Sequence, residues 1–300
     1  GSAGAYGYSK STYISLKDSS VVTTGNNSAG TAVSARAMMK VENSTVSTTG
    51  DSSPAIMIAD GGGILIADGG SFTTSGAMSQ GIYSKGDVTV TNASVNALNA
   101  KAAVLKGNNT ITLSGTILEG KETADTIPYN IALFSDEKDI GTMGTQHFDV
   151  RGGSLISHKG GMFYVTATHG KISLNGTAIT MDDPAANLIT VAGNDGANGW
   201  GTPGRNGGHV ELVADNQVLT GNISVDSISN INMTLKNNST FNGMISIVPN
   251  TEGGEKYKTN ADVFIAAGST WNLTGNSTLT SLYNLGTINY NGYTITLADG

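Results

Sequence analysis

The chain has 300 residues, with 16 Lys+Arg against 23 Asp+Glu, four His and no Cys. A net charge of −7 and no basic run exclude a surface that neutralises successive phosphates, so nucleic acid is not an expected partner. The absence of Cys excludes a disulfide scaffold and thiolate metal ligation. With 41 Gly, 5 Pro and only 13% charged residues, the composition matches neither a helical protein nor a charge-solubilised disordered one. Thr, Val and Ile alternate with polar residues throughout, which predicts an all-β chain.

Taken in order, Gly1-Ser2-Ala3 reads as an expression scar, and the chain then opens in mid-pattern with no export signal and no apolar run long enough to span a bilayer. The organising unit is 38–76. Met39-Lys40-Val41-Glu42 runs into a corner at Asn43, a second strand Thr45-Val46-Ser47-Thr48 follows, and Gly50 closes it. Ile64-Leu65-Ile66-Ala67-Asp68, Gly69-Gly70, Ser71-Phe72-Thr73-Thr74 and Gly76 repeat the same order. A third extended piece is seen in Ala102-Ala103-Val104-Leu105, after Val88-Thr89-Val90 and Ala93-Ser94-Val95-Asn96-Ala97.

Marking one inward residue per repeat gives Leu16, Val41, Ile66, Val90, Leu113, Val150, Leu174, Leu212, Leu235 and Ile265, at intervals of 25, 25, 24, 23, 37, 24, 38, 23 and 30. A period near 24, with three strands per turn and Asn, Asp or Gly at the corners, predicts a right-handed, three-stranded parallel β-helix. About ten coils stacked at the inter-strand spacing make a single rod-shaped domain on the order of 50 Å long. A β-sandwich also alternates, but it carries no superposed repeat of this length.

The long intervals locate insertions at 135–146, 193–208 and 249–260, each after the same strand of the turn and hence at one corner; a smaller addition, 122–128, sits at another. The coils are expected to occupy 1–262. A terminal section of the same solenoid, 263–300, has tighter spacing and more aromatics.

Three stretches resemble a known family. They are Gly221-Asn222-Ile223-Ser224-Val225-Asp226, then Asn232 to Gly243, and above all Gly268-Ser269-Thr270-Trp271-Asn272-Leu273 with Ser277-Thr278-Leu279, Leu282 and Leu285-Gly286-Thr287-Ile288-Asn289-Tyr290. These are similar to passenger domains of pertactin-like and AIDA-type autotransporter adhesins. The resemblance covers about the last 80 residues. It implies export through the outer membrane of a Gram-negative bacterium by a C-terminal β-barrel absent from this chain, a cell-surface location, and a role in adhesion or self-association.

Binding is expected where the period fails, because surface loops held by a packed scaffold are free to vary. Trp200 in the Gly-rich second loop is placed to stack on a sugar ring, with Arg205 and Asp195 supplying hydrogen bonds, or else to fold back onto the coil. Asp136 and Lys138 belong to the first loop, Lys256 and Tyr257 to the third, and His169 and Lys171 to the same corner in the coil between the first two loops. Four histidines occur, at 147, 158, 169 and 209; the first three are 11 apart, about half a period, so successive members fall on different faces, which argues against a shared metal site. Asp182-Asp183-Pro184, Asp60-Gly61-Gly62 and Asp68-Gly69-Gly70 read as turns rather than as catalytic or calcium motifs. Trp271 reads as core.

Three functions are compatible with these features: a non-enzymatic adhesin binding a host glycan or extracellular-matrix protein through a loop-lined groove, a homotypic biofilm adhesin zipped by polar Thr/Asn ladders, and a polysaccharide lyase or hydrolase. Sparse charge disfavours the last. No cofactor or metal is expected.

Overall fold

Residues described by the computed structural model are 2–125, 128–135, 144–194, 202–253, 256 and 259–297, and among them there are strands and turns but no helix. Strands of successive repeats pair in parallel, one coil apart, so each sheet collects every third strand of the chain. The result is a parallel β-helix solenoid, as the repeat predicts.

The first sheet has ten strands, from Ser2–Tyr8 to Ile245–Val248. The second has eleven: Tyr13–Lys17, Met38–Glu42, Ile64–Asp68, Asp87–Thr91, Thr110–Ser114, Thr145–Arg151, His169–Asn175, His209–Asp215, Asn230–Lys236, Ala261–Ile265 and Ser281–Asn284. The third has seven, from Ser20–Thr23 to Ala178–Met181. A separate four-stranded sheet is built from Val218–Thr220, Thr240–Gly243, Thr270–Leu273 and Thr287–Asn289, and Ser277–Leu279 pairs with Ile295–Leu297 in a two-stranded one.

The corner chemistry follows from φ. The turn from the second to the third sheet takes at least one residue in the left-handed region, at Asp18 (φ 47°), Asn43 (45°), Gly69 (69°, followed by Gly70 at 89°), Asn92 (50°) and Gly115 (57°). Those are the residue types that enter that region at least cost. Hydroxyls stack in the same way at another corner, where Ser28 N donates to Ser53 Oγ (2.9 Å) and Ser53 N donates to Ser79 Oγ (2.9 Å).

The chain divides into two compact units. One comprises residues 1–132, 149–162 and 180–183, with Val33, Met39, Val41, Ile56, Leu65, Phe72, Val95 and Leu118 among its buried apolar residues. The other comprises 133–148, 163–179 and 184–300, with Phe148 edge-on to Phe163 at 5.7 Å and with Leu174, Leu212, Phe241 and Trp271 buried. Each large aliphatic side chain taken fully out of water stabilises its unit by roughly 1.5–3 kcal/mol.

Register corrects two of the marked inward residues. Val41 pairs with Ala67, and Ala67 with Val90, while Ile66 pairs with Thr89 and lies on the outer face. In the apolar run Ile64-Leu65-Ile66 the inward residues are Leu65 and Ala67. Likewise Leu174 pairs with Ala214, and Ala214 with Leu235, so Leu212 is one inward position early. Both errors replaced a buried Ala by a larger neighbour.

At the start of the chain, Ser2 and Ala3 pair with Ser28 and Ala29 as strand residues, in register with the repeat.

The three large insertions all leave the first sheet and re-enter the second, from Phe134 to Thr145, from Val191 to His209 and from Val248 to Ala261. The first is shorter than expected, because Thr145 and Gln146 are already strand residues; Gln146 is buried and its Nε2 donates to Phe134 O (2.8 Å).

Candidate functional site

Of the proposed binding residues, Trp200, Asp195, Asp136, Lys138 and Tyr257 lie outside the described residues. Arg205 and Lys256 are exposed. His169 and Lys171 are the two that the fold brings into a defined site, an open groove of about 530 Å³ on the outer face of the second sheet, within the second unit. Neither Arg205 nor Lys256 lines it.

The groove follows from register. His169 pairs with His209 and Asn230 follows in the next strand; two residues along, Lys171 pairs with Glu211 and Asn232 follows. Residues two apart in a strand share a face, so these six side chains form two adjacent rows across three coils. His169 N donates to Gly144 O (3.3 Å) as His209 N donates to Thr168 O (2.9 Å), and the shared pattern sets Thr145 beside His169 and His147 beside Lys171. Thr145 and His147 complete the lining.

Three histidines therefore share one face: His158, half a period from both His147 and His169, lies elsewhere as the spacing requires, but those two return to the same face and His209 joins them. His147 and His169 are nearly one full period apart, and the second insertion delays His209 until the chain returns to the same row. The His169 and His209 rings stack with centroids 4.7 Å apart. His209 is buried, at 8% exposure, and its Nδ1 lies 3.2 Å from Asn230 Oδ1. Burial, reinforced by the His169 ring, pushes the His209 imidazole below its ordinary range, against the opposing effect of its hydrogen bond to Asn230. Lys171 Nζ and Glu211 Oε2 pair at 3.0 Å. Among the described residues no group of three or more His, Asp or Glu is arranged to hold a metal ion.

The second loop is rooted beside this groove. Ala167 N donates to Asn206 O (3.0 Å), and Asn194 N donates to Arg205 O (2.8 Å), closing the loop's stem over the corner that precedes His169. Below it Asp226, at 5% exposure, accepts from Gly193 N (2.8 Å), Asn250 Nδ2 (2.7 Å) and Ile228 N (3.2 Å). One carboxyl group thus ties the roots of the second and third insertions. Sequence reasoning missed Asp226 and His209. The available signal was positional: each sits where a first-sheet strand ends or a second-sheet strand begins, at the insertion corner.

The fourth histidine belongs to the first unit. His158 Nδ1 lies 2.8 Å from Asp182 Oδ2, and its Nε2 lies 3.3 Å from Glu119 Oε1, which also accepts from Asn96 Nδ2 (2.9 Å). The hydrogen bond to Asp182, followed by that to Glu119, raises the His158 imidazole above its ordinary range despite some desolvation. Asp182 therefore has an ion-pair role beyond the turn expected of it. Asp60 sits at its Gly-rich corner and pairs with Lys85 at 2.9 Å, and the hydrogen bond from Lys85 lowers its carboxyl below the usual range. Lys101 Nζ donates to both Glu122 Oε2 (3.0 Å) and Asp125 Oδ2 (2.5 Å), fixing the start of the smaller insertion.

On the four-stranded sheet, Asn289 Nδ2 donates to Asn272 Oδ1 (2.7 Å), Asn272 Nδ2 to Asn242 Oδ1 (2.7 Å), and Asn242 Nδ2 to Thr220 Oγ1 (3.3 Å). Thr240, Thr270 and Thr287 form the parallel row.

No known protein family, no curated protein and no solved structure matches this chain.

Proposed function

We propose that the protein is a non-enzymatic, cell-surface adhesin module of the autotransporter passenger type, which binds a host glycan or matrix ligand on the outer face of its second sheet. The observation that carries this reading is the groove of His147, His169, Lys171, His209, Glu211, Asn230 and Asn232, at the root of the second inserted loop. Its imidazoles, amides and single ion pair offer hydrogen-bond donors and acceptors on a shallow open surface, which suits the hydroxyl-rich edge of a saccharide. The resemblance of the last 80 residues to passenger domains supplies the surface location and the export route.

The test is a glycan array probed with the wild-type chain, with Lys171→Ala and with Trp200→Ala. Loss of signal in Lys171→Ala supports the groove as the site, and loss in Trp200→Ala adds the loop. Equal signals from all three chains refute both assignments.

A second reading, homotypic association, is favoured by the hydrogen-bonded row Thr220, Asn242, Asn272 and Asn289, which gives one sheet face a flat, regular polar surface. Sedimentation velocity at rising concentration tests it: a strict monomer at the highest concentration rules it out.

A further inference from the structure

We infer that the three-histidine groove takes the anionic groups of an acidic glycan, its carboxylates or sulfates, and holds them more tightly as the medium becomes mildly acidic. This rests on the glycan-binding reading above and specifies its ligand class and regulation.

Only four histidines occur in 300 residues, and three of them line one groove, on three successive strands of one sheet. Elsewhere on this outer face, in the coils of the first unit, the row aligned with His147 is filled by Tyr13, Met38, Ile64, Asp87 and Thr110. Nothing in coil packing requires imidazoles on a solvent-facing row. The concentration is a property of this groove and not of the repeat.

The charges around the groove define what it can attract. Lys171 is matched by Glu211 at 3.0 Å. On the neighbouring strands, Asp149 follows two residues after His147, and Asp262 is aligned with Asn232 and accepts the Ser281 hydroxyl at 2.6 Å. Arg205 stands exposed at the loop root. With neutral imidazoles the fixed charges give the groove no cationic excess, on a chain of net charge −7. An imidazole is the side chain whose charge appears between pH 8 and 5, so acidification adds positive charge here and at few other places on the surface. His209 is buried and stacked on His169, and burial holds its imidazole below the ordinary range, so it takes up that charge less readily than an exposed ring. His147 and His169 are the more exposed rings of the three and line the open side of the groove.

The experiment measures dissociation constants for three oligosaccharides of equal length, one carboxylated (an oligogalacturonate), one sulfated (a heparin fragment) and one neutral (a cello-oligosaccharide), at pH 7.5 and 5.5 and constant ionic strength. Wild type is expected to bind at least one anionic ligand about tenfold more tightly at pH 5.5, as two added exposed charge contacts would give. The neutral ligand should show no such gain. In His147→Gln/His169→Gln, checked for an unchanged circular dichroism spectrum and melting temperature, the gain should fall to about twofold or less. Equal anionic affinity at the two pH values overturns the inference, as does a full gain in the double variant. Binding of the neutral ligand alone overturns the inference while leaving the glycan reading intact, whereas no binding of any glycan at either pH removes both.

Discussion

His169 and His209 stack with ring centroids 4.7 Å apart and planes 25° from parallel, although the second inserted loop separates them in the chain. The contact makes the protonation of one ring a cost to the other. Because the folded His209 imidazole is held below its ordinary range, the unfolded chain takes up that proton more readily. Its contribution to stability is therefore present above the ordinary imidazole range and is lost as pH falls through the depressed folded value. His158 has the opposite sign: raised by Asp182 and Glu119, it contributes stability fully below the ordinary imidazole range and loses it as pH rises through the elevated folded value. Imidazole NMR titration should show His209 titrating below, and His158 above, an unstructured histidine peptide. Asp182→Asn should move His158 downward and cost no more than about 1 kcal/mol, since the pair is substantially exposed. Coincident titration of the two rings would contradict this account.

Among the described residues, Trp271 carries the largest fully buried side chain. Its ring lies 5.6 Å from Phe241, with which it is in register, and its Nε1 donates to Gly243 O at 2.9 Å. Trp271→Ala removes the ring and leaves that carbonyl without its donor, at an expected cost of about 3–5 kcal/mol. Trp271→Phe keeps most of the apolar contact and should cost about 1–2 kcal/mol, mainly the hydrogen bond. Urea unfolding followed by tryptophan-independent circular dichroism measures both. Equal stability of Trp271→Ala and wild type would place the ring outside the core.

How much of this was legible beforehand depends on which physical signal each feature leaves in the chain. The solenoid was legible because packing forces inward residues to recur, and corners force Asn, Asp or Gly to recur with them, as at Asn43, Gly69 and Asn92. The common corner of the insertions was legible from the same count. Register within a strand was less so: Ala67 and Ala214 are too small to stand out beside Ile66 and Leu212, and only strand pairing identifies them. The groove was half legible. His169 and Lys171 are marked by their corner, but His147, His209 and Glu211 join them only through parallel pairing across an insertion. Linear spacing does not measure that distance. Asp226 left only its position at the corner, since a carboxyl group at a strand end looks the same in the sequence whether it is solvated or buried beneath two loops.

The glycine that closes the first three repeats, Gly25, Gly50 and Gly76, makes its own prediction. A Cβ on Gly76 would lie 2.0 Å from the Gly50 carbonyl oxygen, and one on Gly50 would lie 2.1 Å from that of Gly25. These glycines are required by the close stacking of backbone on backbone, not by a left-handed φ. Gly76→Ala should therefore force neighbouring coils apart and cost about 1–3 kcal/mol or more. Gly62, with φ +72° and open space around its Cβ position, should lose only about 1 kcal/mol on replacement by Ala, through backbone conformation alone. Thermal melts of the two variants decide the matter. Gly62→Ala proving the more damaging would show that turn conformation outweighs coil spacing in these repeats.

Asp226 offers a way to loosen two loops without touching the groove's own side chains. Its Oδ2 accepts from Gly193 N and Asn250 Nδ2, its Oδ1 from Ile228 N, and its backbone carbonyl from Ser229 N and Asn260 Nδ2. Asp226→Ala would leave three donors in a site with little access to water, at a cost of about 1–3 kcal/mol for each that finds no substitute partner, although local opening would relieve part of it. That opening has a direction, because Gly193 begins the second loop and Asn250 and Asn260 frame the third. Limited proteolysis under native conditions should then cut at 193–208 or 249–260 about tenfold faster in Asp226→Ala than in wild type, as expected when local opening becomes easier by about 1.4 kcal/mol. The smaller insertion at 122–128, held by Lys101 in the other unit, serves as the internal control and should be cut at the wild-type rate. Acceleration at all sites alike would mean that Asp226 supports the fold as a whole. Unchanged cleavage at both loops would mean that their roots are held by backbone pairing without it.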